Sequence, residues 1–430
     1  MLAYGAPGVP LAALTLPLYI LLPEFYADAL GLPLAAIGTA LFAIRIADAA
    51  SDPLIGWASD RFGNRFGRRK TWFLASIPVV VTATFALFWP PIDVSVAYLI
   101  GWGIILSIGY TMAILPYSAW GAELSGDYDE RARVTASREG FILLGTLLAI
   151  AVPFSFFGLD DASAFHGLAA LAVLVAITLP VFGGLALWRV PEPDDVSKTR
   201  LSILSGLRQM RANGPFLRLL LAYLLNGLAN GLPASLFLFF VAGVLQAPDW
   251  QGPLLFLYFL CGVAGVPLFT AIARRTSKHR SWSISMLSAC LVFAFALNLG
   301  PGDTTAFAII CVLTGLCVGG DLALPSAIQA DVIDVDTAAG GEQRSGTYFA
   351  AWSLATKLSL ALAAGIAFPI LGFAGFDAAD PSATTGSGLT ALSWLYAGVP
   401  IALKVVAATV IWNFPISRDS QLETRASIGA

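Results

Sequence analysis

The chain has 430 residues, 57% of them hydrophobic and only 12% charged, with a net charge of −3. A soluble domain carries about 25% charged residues, and the mean hydropathy of +0.79 points the same way. The composition therefore excludes an ordinary soluble fold and predicts a polytopic membrane protein.

The N-terminus has no basic segment or cleavage site, so its first apolar run reads as a mature helix and not as a signal peptide. A span needs about 20 apolar residues. Twelve such runs fall near 7–29, 34–58, 72–90, 95–121, 138–157, 164–188, 217–242, 252–273, 283–300, 304–328, 346–370 and 391–414. Between the sixth and seventh lies the longest polar stretch, Val190 to Pro215, with mixed charge and prolines. The expected organisation is an all-α membrane protein of two six-helix bundles: 1–189, a cytoplasmic linker 190–215, and 216–430 with a short cytoplasmic tail.

Lys and Arg collect on one side. The loop after the second run holds Arg61, Arg65, Arg68, Arg69 and Lys70, and the loop after the eighth holds Arg274, Arg275, Lys278 and Arg280. The opposite loops (WPPIDVS, GLDDASAFHG, LQAPDWQG, NLGPGDT, GFDAADPSATTG) have neither residue. By the positive-inside rule both termini are cytoplasmic. The halves also echo each other. LPYSAWGAEL at Leu115 matches LPSAIQADV at Leu324, and DPLIGWASDRFGNRFGRRKTW at Asp52 matches VPLFTAIARRTSKHRSW at Val266. Such repeats are how many secondary transporters are built.

The second run carries three ionisable residues, Arg45, Asp48 and Asp52. Aligning Pro53 with Pro267 sets Asp52 against Val266 and Asp48 against Gly262, so the second half makes the same helix without acids. Asp48 and Asp52 are four apart, share a helix face, and are separated by about 6 Å of rise. Arg45 lies on nearly the same face. Charges in hydrocarbon are costly, so these must face the bundle interior. Two carboxylates one turn apart repel, which favours a bound cation or a shared proton. The competing reading is an Arg45–Asp48 pair that only fixes packing.

The motifs YGAPG (Tyr4), FYADALGL (Phe25), RIADAASDPLIGWASDRF (Arg45), LPYSAWGAELSGDYDERARVTASREG (Leu115) and ADVIDVDTAAGGEQRSGTYFAAWSLATK (Ala330) resemble the glycoside-pentoside-hexuronide:cation symporters, the melibiose-permease-like family, over nearly the whole chain. That resemblance implies the major facilitator fold. It implies a cation site at Asp48 and Asp52, with Thr111 on the fourth helix and Ser51 where the family has an asparagine. The changed ligand leaves Na⁺ or H⁺ open as the coupling ion. It also implies substrate contacts at Arg138, Lys357 and Tyr110. The family's sugar-binding acids fall at Ala12 and Ile114, and its tryptophan at Ser118, so a neutral galactoside is not the expected solute.

Further substrate candidates come from the runs themselves. Lys357 is mid-span, and Asp321 on the neighbouring tenth run is its expected partner, from which a substrate carboxylate would compete it away. Trp120 and Trp352 are either packing residues or sugar-stacking ones. Lys404, nearer its span end, reads as interfacial. Acidic clusters follow the fourth and tenth runs. Arg45, Asp60, Glu123, Asp331, Asp334 and Arg344 are the candidates for gating or inter-bundle salt bridges; the competing reading is solvated loops.

Cysteines 261, 290, 311 and 317 all sit in apolar runs and only His166 and His279 are present, so no catalytic or metal constellation is visible. The expectation is a secondary transporter and not an enzyme: a monomer in a bacterial inner (plasma) membrane, coupling Na⁺ or H⁺ to uptake of a sugar, glycoside, uronide or related small polar solute. It needs no cofactor beyond the cation and no nucleic acid. The alternative solutes are organic anions or lysolipid-like amphiphiles. A membrane enzyme or receptor is the rival from another class.

Overall fold

The structure, a computed structural model, describes the chain apart from residues 63–66, 92, 125–127, 156–162, 193–212, 341–344, 379, 382–383, 385 and 417–430. Some helical side chains, among them Asp60, Glu123, Asp334 and those of residues 128–136, also lie outside the described set. The elements are helices: α1 (Leu2–Gly5), α2 (Gly8–Tyr19), α3 (Leu21–Asp28), α4 (Leu34–Arg61), α5 (Arg68–Phe88), α6 (Val96–Glu123), α7 (Tyr128–Phe154) and α8 (Ser163–Arg189). After the linker come α9 (Gly214–Gly243), α10 (Gln251–Arg275), α11 (Lys278–Phe293), α12 (Thr304–Gly340), α13 (Ser345–Phe373), α14 (Ser387–Ser393) and α15 (Val399–Trp412), with a π turn, Trp394–Gly398, joining the last two.

Among the described residues ten helical segments are long and apolar enough to cross a membrane. The pair α2 and α3, bent by 50°, makes an eleventh, and the apolar stretch Gly140–Phe154 of α7 is shorter. The protein is thus a multi-pass integral membrane protein. Its exposed large apolar side chains, such as Phe373 and Leu291, are what a lipid-facing surface requires. Tryptophans 89, 188, 250 and 412 are exposed at or beside helix ends, where amphipathic rings sit at the headgroup level.

Polar residues set the helix boundaries. Ser95 Oγ accepts from Tyr98 N at 3.2 Å, Asn213 Oδ1 from Phe216 N at 3.0 Å, and Ser277 Oγ from Arg280 N at 3.3 Å. Each satisfies an N–H that the first helical turn leaves bare. Pro53, Pro116, Pro267 and Pro325 sit inside helices, as transmembrane packing permits. The bend between α2 and α3 lies between Pro17 and Pro23, and each proline removes one backbone donor.

The start of α5 is capped from a distant part of the chain. Glu192 Oε1 accepts from Arg69 N at 2.6 Å and its Oε2 from Lys70 N at 3.2 Å. Gly67, at φ 102°, lets the backbone enter this cap, and a Cβ there would collide with the Glu192 side chain. Next to it Trp120 Nε1 donates to Pro191 O at 2.8 Å, and Lys70 Nζ donates to Leu187 O at 3.0 Å.

The chain divides by its contacts into two compact units: Met1–Val196 with Ala364–Pro381, and Ser197–Ala363 with Ser382–Ala430. In the first, Tyr4 and Tyr117 exchange bonds: Tyr4 Oη donates to Tyr117 O at 2.9 Å and Tyr117 Oη to Tyr4 O at 2.6 Å. In the second, a core of Phe216, Trp282, Met286, Ile328, Tyr348 and Ile411 joins α9, α11, α12, α13 and α15. Lipid tails are as apolar as leucine, so such packing stabilises through close contact and hydrogen bonds. α10 and α12 show how close. A Cβ on Gly319 would fall on the backbone of Gly265 and Val266, and one on Gly265 on the backbone of Leu316. Gly319→Leu is expected to lower the melting temperature in detergent far more than Gly300→Leu, where the space is open; equal shifts would show that the helices do not need this approach.

Candidate functional site

In the first unit, α4 presents Arg45, Asp48 and Asp52, one turn apart, to α6. Asp48 is 2% exposed and Thr111 0%. Thr111 Oγ1 lies 3.1 Å from Asp48 Oδ1 and 3.0 Å from Asp52 Oδ1. Arg45 Nη1 donates to Asp48 Oδ2 at 3.2 Å, and its guanidinium lies over the Tyr19 ring, 4.2 Å from the centroid. Tyr110 precedes Thr111 on α6, within electrostatic reach of Arg45, Asp48 and Tyr19.

The chemistry comes from counting protons. A hydroxyl carries one, so Thr111 donates to one carboxylate only. The other short contact sets oxygen against oxygen unless a proton or a metal cation lies there. Asp48 is buried and Asp52 half-buried, and carboxylates this close in an apolar span favour a monovalent cation or a proton between them.

Ser51 does not join this group. Its hydroxyl donates to the Asp48 backbone carbonyl at 2.9 Å, a bond within its own helix, so the expected ligand is turned away from the carboxylates. Arg45, expected as a gating residue, belongs instead to the carboxylate cluster. Asp331 accepts two bonds from Lys278 Nζ, at 2.7 and 2.6 Å, within the second unit. The side chains of Asp60, Glu123 and Asp334, and the whole of Arg344, lie outside the described residues.

The substrate candidates belong to both units. Arg138 is half-buried on α7 in the first unit, and Lys357 half-buried on α13 in the second. Trp120 is fully buried, edge-on to Tyr4 at 6.3 Å and under Lys70 at 5.5 Å, so its ring is packed and not offered to a solute. Trp352 stacks on Tyr223 with centroids 3.7 Å apart, and the Tyr223 hydroxyl lies 2.9 Å from Thr356 Oγ1.

The expected pairing of Asp321 with Lys357 is corrected. Asp321 Oδ2 accepts from Lys404 Nζ at 3.1 Å and Asn230 Nδ2 at 2.9 Å, and its Oδ1 from Trp282 Nε1 at 2.7 Å. Lys404 also donates to Asn226 Oδ1 at 2.7 Å. Its ammonium is therefore not interfacial: α9, α11, α12 and α15 close around it. The sequence did hold a signal for this centre. Asn226 and Asn230 are four apart in an apolar run, and Lys404 stands alone in VPIALKVVAATV.

The fold defines the class of protein. The structure superposes on the nucleoside transporter NupG (D323A mutant) with a TM-score of 0.69, covering 95% of this chain and 100% of that one at 13% identity. It superposes equally on the D-xylose-proton symporter, TM-score 0.69, covering 97% and 96% at 14% identity. This is a membrane transporter fold of the major facilitator type. Over residues 2–418 the sequence matches the model of the MFS/sugar transport protein family, and the chain belongs to that family of the major facilitator superfamily, a family of transporters and not of enzymes. Similar proteins include the sphingosine-1-phosphate transporter MFSD2B of Mus musculus, 25% identical over 99% of this chain and 90% of that protein. The inner membrane symporter YicJ of Escherichia coli is 24% identical over 93% and 88%. The sodium-dependent lysophosphatidylcholine symporter 1 of Gallus gallus is 23% identical over 99% and 88%.

Proposed function

We propose that the protein is a secondary active transporter that couples entry of Na⁺ or H⁺ to uptake of a small polar solute, a sugar, glycoside or uronide. It works as a monomer of two six-helix halves in a bacterial plasma membrane, with both termini cytoplasmic. The observation that carries this reading is the Thr111 hydroxyl within hydrogen-bond distance of both Asp48 and Asp52. A cation placed there satisfies the oxygens that one proton cannot. Arg45 fixes Asp48, and Asp52 shares the Thr111 hydroxyl with it. Arg138, Tyr110, Lys357 and Trp352 are the proposed solute contacts.

The test is a thermal-shift screen of purified protein against sugars and uronides, with and without Na⁺ and across pH. A ligand that stabilises only when the cation is present supports coupling; equal stabilisation without Na⁺ at every pH overturns it. Thr111→Val keeps the shape and removes the hydroxyl. It is expected to weaken cation binding about tenfold, the worth of one hydrogen bond to a charged group, as read from a cation isotherm. Unchanged affinity would remove the hydroxyl from the site.

A second reading is favoured by one observation. Relatives of nearly full coverage are named for lysophosphatidylcholine and sphingosine-1-phosphate transport. An amphiphile carrier of the same coupling mechanism would show stabilisation by lysolipids and none by sugars in the same screen.

A further inference from the structure

The Asp321–Lys404 pair is built differently from a simple structural ion pair. Each partner has its own neutral anchor: Lys404 holds Asn226 at 2.7 Å, while Asp321 is held by Trp282 at 2.7 Å and Asn230 at 2.9 Å. The contact between the two charges is the longest of the four, at 3.1 Å. Opening it leaves neither side chain bare. Among the described residues two acceptors face the three N–H bonds of the ammonium, so one N–H remains for another oxygen. Both side chains keep about a tenth of their surface accessible, 11% for Lys404 and 10% for Asp321. A charge that deep in a span does not face lipid, so this surface is turned away from the bilayer. Beside it Tyr223, within electrostatic reach of Asp321, and Trp352 form a stacked aromatic face.

Granted the reading of the protein as a solute transporter, we propose that Lys404 is the anion-binding residue of the second unit: a solute carboxylate takes Lys404 from Asp321, and Asp321 takes up a proton in exchange. A carboxylate is the fitting group because one already occupies the place. The exchange balances. Lys404 keeps its protons, the incoming carboxylate replaces that of Asp321 in the ion pair, and one proton from water bonds to Asp321. The cluster's net charge stays zero, where an unprotonated Asp321 would leave a second negative charge in the membrane interior. Few other groups there can compete for the proton. Within electrostatic reach of Asp321 are Tyr223 of α9, Tyr258 of α10, Cys290 of α11 and Cys317 of α12. These are phenols and thiols, uncharged at neutral pH. The nearest charge in sequence on α13 is Lys357, the residue after Thr356, which bonds Tyr223.

The experiment titrates the purified full chain with glucuronate at pH 7.5, 6.5 and 5.5 at one fixed NaCl concentration. Glucuronate stays ionised throughout, so uptake of one proton per ligand makes binding about tenfold tighter for each unit the pH falls. Calorimetry in buffers of different ionisation enthalpy counts that proton directly. Asp321→Asn removes the competing anion. It is expected to bind glucuronate at least tenfold more tightly than the native chain at pH 7.5, with no pH slope, while any glucose binding stays the same. The double variant Asp321→Asn with Lys404→Met is expected to lose the preference for glucuronate over glucose. Absence of glucuronate binding by Asp321→Asn, or a pH slope that survives in it, overturns the proposal. If that variant does not fold, the native chain decides: no glucuronate binding, or binding without proton uptake, is equally fatal. Na⁺ binding by the native chain and by Asp52→Asn, measured without glucuronate, tests the first-unit cation site separately, so either idea can fail alone.

Discussion

Asp52→Asn is expected to abolish cation-driven accumulation while leaving membrane insertion and folded yield close to those of the native chain. The change keeps the size of the side chain and one oxygen near Thr111, so the packing of α4 on α6 survives. The charge does not. A carboxylate about 4 Å from a monovalent cation, at the effective dielectric of a partly buried site, contributes about 4 kcal/mol, and its loss lowers cation affinity roughly a thousandfold. The repeat supplies the argument that folding is spared: at the equivalent place in the second half stands Val266. Uptake of labelled solute into cells or proteoliposomes under an imposed Na⁺ or H⁺ gradient reads the effect, and normal accumulation would sink the assignment. Asp48→Asn should match it in transport but fold less well, because Arg45 loses its bond at 3.2 Å and remains charged within a span.

Lys404→Met should be the most destabilising single change in the second unit. It leaves Asp321 with two neutral donors and no cation inside four packed helices, so the carboxyl must take up a proton to remain there. Breaking a buried pair from one side costs about 3–5 kcal/mol. Removing both charges, with Asp321→Asn added, should recover most of that loss, because no carboxyl is left to neutralise. The melting temperatures of the four proteins in one detergent form a double-mutant cycle. Additive losses would show that the two residues do not act as a pair.

Much of this architecture is legible in the sequence because lipid enforces one rule, that spans are apolar and helical. The runs near 34–58 and 95–121 correspond to α4 and α6 within a few residues. Departures have physical causes. The run at 304–328 marks only the more apolar part of α12, which continues as helix to Gly340, since backbone bonding does not stop where hydrophobicity does. The first run reads as one span, yet Pro17 and Pro23 divide it. The proximity of Asp48 and Asp52 is a matter of their spacing on one helix. Thr111, 63 residues beyond Asp48, is reachable only through the family resemblance. Lys404 and Asp321 lie 83 residues apart in separate runs, and periodicity does not say which helices become neighbours. The sequence therefore matches Asp321 with Lys357, the lysine on the next run, and not with the one that α15 brings to it. Ser51 illustrates a smaller trap: a serine in a helix interior readily bonds the carbonyl one turn back, so its place in a motif does not make it a ligand.

The cap that Glu192 places on α5 has a consequence for where the polypeptide can be interrupted. Trp120, Lys70 and the amides of Arg69 and Lys70 fasten residues 187–192 to the first unit, so the beginning of the connector is a structural strap. Two fragments expressed together should reconstitute transport when the break falls beyond residue 193. A break before Pro191 would instead send the glutamate off with the wrong fragment, leave the two amides opening α5 without their acceptor, and cost the N-terminal fragment its stability before the second one is ever encountered.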